Sequence, residues 1–227
     1  MTVSMRQTAL LLASGLLFTA GAARTAETPA PAPTPPAPTT PAPVMPAAPS
    51  SDPTQVRPGA YVLDSAHGKI TWSVSHLGFS TYYGQITDVT AQAVLDPKEP
   101  AKSTLTVTIG TDSVNGLNDR LNQHLKAPDF FDTAKFPKAT FTATSIEPTS
   151  PATARVNGDL TLKGVTRPVA FDATFNQAGT NPVNQAYTVG FDGRAVIKRS
   201  DFGINAFLPL LGDEVSLRLE GEFKAVE

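Results

Sequence analysis

Alternation of apolar and polar residues with a period of two recurs from residue 59 to the C-terminus, and it dictates strands rather than helices. Ile70-Thr71-Trp72-Ser73-Val74-Ser75-His76 sets Ile70, Trp72, Val74 and His76 on one face and small hydroxyls on the other. Leu105 to Ile109, Ala139 to Ala143 and Leu160 to Leu162 repeat the pattern, and Val169 to Phe175 carries it with larger residues. Val215 to Phe223 is the cleanest example, and Gln85 to Leu95 and Tyr187 to Val196 complete a set of about eight strands.

Turn residues fill the gaps: Asp96-Pro97, Glu147-Pro148, Asn157-Gly158, Lys163-Gly164, Gly179 to Pro182 and Leu211-Gly212-Asp213. Their spacing suits antiparallel neighbours. No strand is followed by a long helical pattern, which disfavours a parallel, doubly wound sheet. Amphipathic antiparallel strands in this number form a sandwich or close into a barrel, and a closed barrel has room for one small ligand.

One stretch departs from the period of two. Gly116 to Lys126 places Leu117, Leu121, His124 and Leu125 on one helical face, with Asn115 as the expected cap and Pro128 as the stop. The adjacent aromatics of Asp129-Phe130-Phe131-Asp132 cannot both point into one strand face. A short helix and an irregular aromatic loop are expected here, lying across one barrel opening as a lid, with a plug of the core as the alternative.

The N-terminal part is built differently. Arg6 precedes the apolar run Ala9 to Phe18, which gives way to Ala20-Gly21-Ala22-Ala23, so residues 1–23 have the layout of a cleaved signal peptide. Twelve of the 21 prolines then fall between Arg24 and Pro58, and residues 24–58 read as a disordered Pro/Ala/Thr-rich linker ahead of a barrel domain at 59–227. Export across a membrane follows. With no cysteine, that domain has no disulfides and must be held by its core.

Charge and chemistry narrow the function further. From residue 59 onward 15 Lys and Arg face 18 Asp and Glu without long runs of either sign, so no basic field exists for a nucleic acid. The three histidines, His67, His76 and His124, show no metal-ligand spacing. Asp64, Asp119, Asp159, Asp201 and Asp213 offer carboxylates for acid/base work, but each has a turn or rim assignment. No Ser-centred elbow or phosphate-cradling Gly loop is present, so a hydrolase is disfavoured and no cofactor or metal is expected.

The ordered motifs Leu63 to His67, Ser75 to Phe79, Asn118 to Leu125, Phe130-Phe131-Asp132, Gly158 to Val169, Arg199 to Ile204 and Gly212 to Val215 resemble those of the YceI-like family of exported, lipocalin-like, polyisoprenoid-binding proteins. The resemblance implies an all-β fold: an eight-stranded antiparallel lipocalin-like barrel with a short helix and loop near one opening. It also implies a periplasmic carrier that holds a polyisoprenoid, an isoprenoid quinone or a fatty-acyl chain. On the residues alone, Trp72, Val74, Phe141, Phe171, Phe175 and Phe191 fit either a packed core or a lined cavity. The resemblance turns them into candidate lining together with Phe79, Leu117, Leu121, Phe130 and Phe202, and His76 on the Trp72 face is either a partner for a ligand headgroup or an internal histidine satisfied by the protein. An envelope interaction or stress module with a packed barrel is the alternative. A transient membrane or envelope-protein contact and a homodimer stay open.

Overall fold

The computed structural model describes residues 48–226, so the signal peptide expected at 1–23 and the linker up to residue 47 lie outside the described residues. Eleven strands follow in the order β1 (Gly59–Leu63), β2 (Lys69–His76), β3 (Ser80–Ile86), β4 (Val89–Leu95), β5 (Thr104–Gly110), β6 (Val114–Asn115), β7 (Lys138–Ser150), β8 (Thr153–Leu162), β9 (Val165–Thr180), β10 (Tyr187–Lys198) and β11 (Leu211–Ala225). Helix α1 (Asp119–Lys126) lies between β6 and β7.

The first and last strands close the structure. β1 pairs with both β4 and β11, so β1, β4, β5, β7, β8, β9, β10 and β11 form an eight-stranded antiparallel ring. β11 is long enough to serve two partners: Phe223 to Ala225 pair with β1, and Leu211 to Glu220 pair with β2. β2, β3 and β6 thus prolong β1, β4 and β5 past short interruptions and extend the wall at one end.

Local hydrogen bonding explains these interruptions. The expected continuous strand from Gln85 to Leu95 is broken at Thr87-Asp88, whose backbone N–H groups donate to Ser113 Oγ at 3.2 and 2.9 Å. Ser113 in turn donates to the Gly110 carbonyl, so one hydroxyl stitches the break in one strand to the break in the next. Between β1 and β2 the turn is held by the Asp64 N–H on the Glu222 carbonyl and the His67 N–H on the Asp64 carbonyl.

Two boundaries differ from the sequence expectations. Asn118, rather than Asn115, caps α1 by accepting the Leu121 N–H, and Leu117 sits outside the helix at φ 61°. Asn115 instead accepts the Leu117 N–H and binds the Asn122 side chain, which takes the Gly116 N–H. Contact with the barrel also begins before residue 59: Ser50 bridges Ala178, and Val56 is buried. Proline-rich composition masks this contact, because it hides one apolar residue among many small ones.

The core divides between the two ends of the ring. One cluster gathers Trp72, Val74, Leu125, Phe130, Phe202 and Ile204, and the other gathers Val56, Tyr61, Phe175, Ala178 and Val189. Tyr61 is enclosed almost completely, and its hydroxyl donates to the Arg57 carbonyl at 2.7 Å. Burial, with the Tyr187 phenol nearby, pushes the Tyr61 hydroxyl up to about 12.

Candidate functional site

Strand alternation turns one residue in two toward the barrel axis, and almost every such side chain here is hydrocarbon. Val169, Phe171, Ala173 and Phe175 of β9 face inward beside Phe191, Gly193, Ala195 and Ile197 of β10. Val215, Leu217, Leu219 and Phe223 of β11 continue the lining, followed by Ile70 and Trp72 of β2 and by Val89, Ala91 and Ala93 of β4. These side chains do not fill the interior, and a cavity of about 500 Å³ remains. That volume is within the usual range for a small-molecule site.

The aromatic rings are set against the wall by small neighbours. Trp72 lies over its ladder partner Gly84, where an added Cβ would stand 2.2 Å from Cζ2 of the indole. Phe141 occupies the corresponding space over Gly158, and its ring lies 5.6 Å from that of Phe171. Phe175, Phe191 and Phe223 follow one another at 5.8 and 6.1 Å in edge contacts. Large rings over glycines keep the wall thin and the lumen open.

One end of the cavity is closed. Leu125 of α1 and Phe130 are buried beneath it, and the Phe131 N–H donates to the Leu125 carbonyl. Arg199 is buried too, and its guanidinium donates to the carbonyls of Gly212, Ile204 and Leu211, each at 2.8 Å. Burial draws the Arg199 guanidinium below its ordinary value, with Asp213 opposing. Burial works against ionisation of Asp213, but two hydrogen bonds from Ser200, helped by Arg199 and Lys198, hold its carboxyl below the usual range. Thr111 donates to the Phe136 carbonyl at the same end. Arg199 and Thr111 border the cavity at this end, but their donors are satisfied by backbone carbonyls of the protein.

The other end is open. Its rim consists of Asp96, Pro97, Pro100 and Ser103 from the β4–β5 connection, Ser150 to Thr153 from the β7–β8 turn, and Pro53, Thr54 and Val56 from the N-terminal segment. The expected arrangement is therefore inverted: α1 and the aromatic loop seal the floor, and the mouth lies at the opposite end.

Trp72, Phe141, Phe171, Phe175 and Phe191 line the cavity as the period of two places them. Val74, Phe130 and Phe202 are buried in the floor beyond it, and Leu121 is half-buried against that floor. Phe79 and Leu117 are corrections: they are 90% and 78% exposed, because each sits in a turn that projects past the end of the sheet. His76 is exposed as well, since β2 runs beyond the floor before it turns, and its ring lies 6.2 Å from that of Tyr82. Phe131, which sequence reasoning passed over, lines the cavity where Phe130 does not. Two adjacent aromatics carry no signal for which one turns inward. Phe223 and Leu219 were legible in the β11 alternation but were not singled out.

The remaining histidines and their carboxylates are surface pairs. His67 Nδ1 lies 3.0 Å from Asp64 Oδ2, and His124 Nε2 lies 2.7 Å from Asp129 Oδ2. Hydrogen bonds from Lys224 and then His67 hold the Asp64 carboxyl down to about 2. Among the described residues no three His, Asp or Glu side chains are grouped to hold a metal ion.

Residues 61–223 match a family described as the YceI-like domain. A UPF0312 protein of Shewanella oneidensis is 36% identical over 169 residues, which cover 74% of this chain and 88% of that protein. The crystal structure of Burkholderia cenocepacia BcnA is similar with a TM-score of 0.64 at 27% identity, over 72% of this chain and 99% of the other. A polyisoprenoid binding domain from Saccharophagus degradans shares the fold with a TM-score of 0.56 at 15% identity, over 75% of this chain and all 100% of that one.

Proposed function

The chain belongs to the YceI-like domain family, and from that premise we propose that it is a periplasmic carrier that shelters a long apolar molecule inside its barrel. The observation that carries this reading is the cavity of about 500 Å³, open at one end and walled by hydrocarbon. An empty space of that kind forfeits dispersion contacts along its whole lining, and an apolar ligand restores them while leaving water. A polyisoprenoid, an isoprenoid quinone or a fatty-acyl chain has the required chemistry. The similarity in fold to a domain named for polyisoprenoid binding agrees with the first of these.

The polar groups support a direction of insertion. Arg199 and Thr111 at the floor are occupied by backbone carbonyls, so a charged headgroup finds no partner there. Such a ligand enters tail first and leaves its head at the mouth beside Asp96, Ser103 and Ser150. The site holds no nucleophile–base pair, and the proposed role is binding and transfer rather than catalysis. The charged start, apolar run and small-residue exit of residues 1–23 support export.

Trp72 is the only tryptophan, so its fluorescence reports on the lumen without interference. Titration with parinaric acid, a fluorescent polyene fatty acid, is expected to quench Trp72 saturably, with one probe per barrel. Absence of quenching and of probe fluorescence at all concentrations contradicts the reading.

A further inference from the structure

The open end carries a segment that belongs to no rung of the ring. β9 overhangs its neighbour: β8 pairs with it only as far as Thr174, the Phe175 N–H donates to the Ala152 carbonyl of the β7–β8 turn, and the edge beyond has no partner in β8. Ser50 fills part of this edge, exchanging two backbone hydrogen bonds with Ala178 at 2.8 Å each. No second rung follows, and the pairing stays a single bridge.

Further contacts hold the segment down. The Tyr187 hydroxyl donates to the Gln55 carbonyl at 3.0 Å and accepts the Arg57 N–H at 3.3 Å. The Arg57 guanidinium lies 4.1 Å over the Tyr187 ring. Val56 is 8% exposed and reaches inward to Phe175 and Ala93, both of which line the cavity.

We propose that residues 49–57 are a strap that gates exchange of the ligand at the mouth, an inference that rests on the reading of the barrel as a binding protein. Releasing the strap breaks one bridge and the bonds to Tyr187 and withdraws Val56 from the mouth, while every ladder of the ring stays intact. The floor offers no such route, because Arg199, Phe202, Ile204, Leu125 and Phe130 are all buried there. Elements that open for binding come from the least stable parts of a fold, and the strap is fastened by a single bridge, the exposed bonds to Tyr187 and one buried side chain, Val56, while the Tyr61 hydroxyl on the Arg57 carbonyl anchors its hinge end.

The absence of cysteine from the chain makes the test clean. Ser50 and Ala178 are a hydrogen-bonded antiparallel pair, a separation of about 5.5 Å between Cα atoms that a disulfide spans. Displacement of bound parinaric acid by excess oleic acid is timed for the Ser50→Cys/Ala178→Cys protein, oxidised and then reduced. Oxidation is expected to slow exchange by about tenfold or more, with recovery on reduction. Tyr187→Phe, which removes both hydrogen bonds and keeps the ring, is expected to speed exchange without changing the sheet signal in circular dichroism. Exchange unaltered in both variants, with uptake intact, overturns the gate and leaves the binding reading standing. Wild-type protein that takes up no probe overturns both.

Discussion

Trp72 shows how far a single side chain carries the functional reading. It stands on an inward position of β2, over Gly84, with its indole on the cavity. Trp72→Ala is expected to weaken probe binding by about tenfold or more, whereas Thr71→Ala on the outer face leaves it unchanged. Equal losses at equal stability contradict the inward assignment. Asp64 acts at the surface and through pH. Its carboxyl is held at about 2 by Lys224 and His67, below its unfolded value near 3.9. A lowered folded-state value gives stability that is full above the unfolded value and is lost as pH falls toward 2. After allowance for solvent screening the contribution is about 1 kcal/mol, so Asp64→Asn lowers the urea midpoint at pH 6 and the difference closes near pH 2. A difference that persists at acid pH refutes this linkage. Alternation made Trp72, Phe141, Phe171, Phe175 and Phe191 legible in the sequence. It misled at His76 and Phe79, because period does not tell where a strand passes the end of the barrel.

Strands were legible as elements because half of each is buried, and the ends were not. Whether a loop seals a floor or rims a mouth depends on contacts far apart in sequence, such as the Arg199 guanidinium on the Gly212 carbonyl. Helix α1 has the apolar face expected of it, yet that face plugs the floor through Leu125. Leu125→Ala is therefore expected to cost about 2–5 kcal/mol in urea unfolding with no selective change in ligand exchange. Faster exchange at unchanged stability restores the lid. At the other end, the composition of residues 24–58 suggests a plain spacer, while Val56 and the Tyr187 contacts show that its last residues belong to the barrel. A chain truncated to begin at residue 58 is expected to melt roughly 4–10 °C below one that begins at residue 48, as follows from burial of one Val side chain and a few polar contacts. Equal melting temperatures refute a stabilising strap.

Taken together, these parts form a vessel with one working end. Eight antiparallel strands close a ring, α1 and the segment around Arg199 stop one end, and the strap crosses the other. The hydrophobic gain that holds the ring together is left incomplete along the lumen, and the proposed ligand completes it. Barrel stability and occupancy are thus coupled: anything that fills the cavity of the folded state raises its stability. The measurement that bears most directly on this account is organic extraction of the protein, purified from its native cells, followed by mass spectrometry of the extract. The account predicts a long-chain apolar molecule in near-equimolar amount. Protein that is empty on repeated preparation, and that also fails to take up isoprenoid or acyl probes, contradicts it.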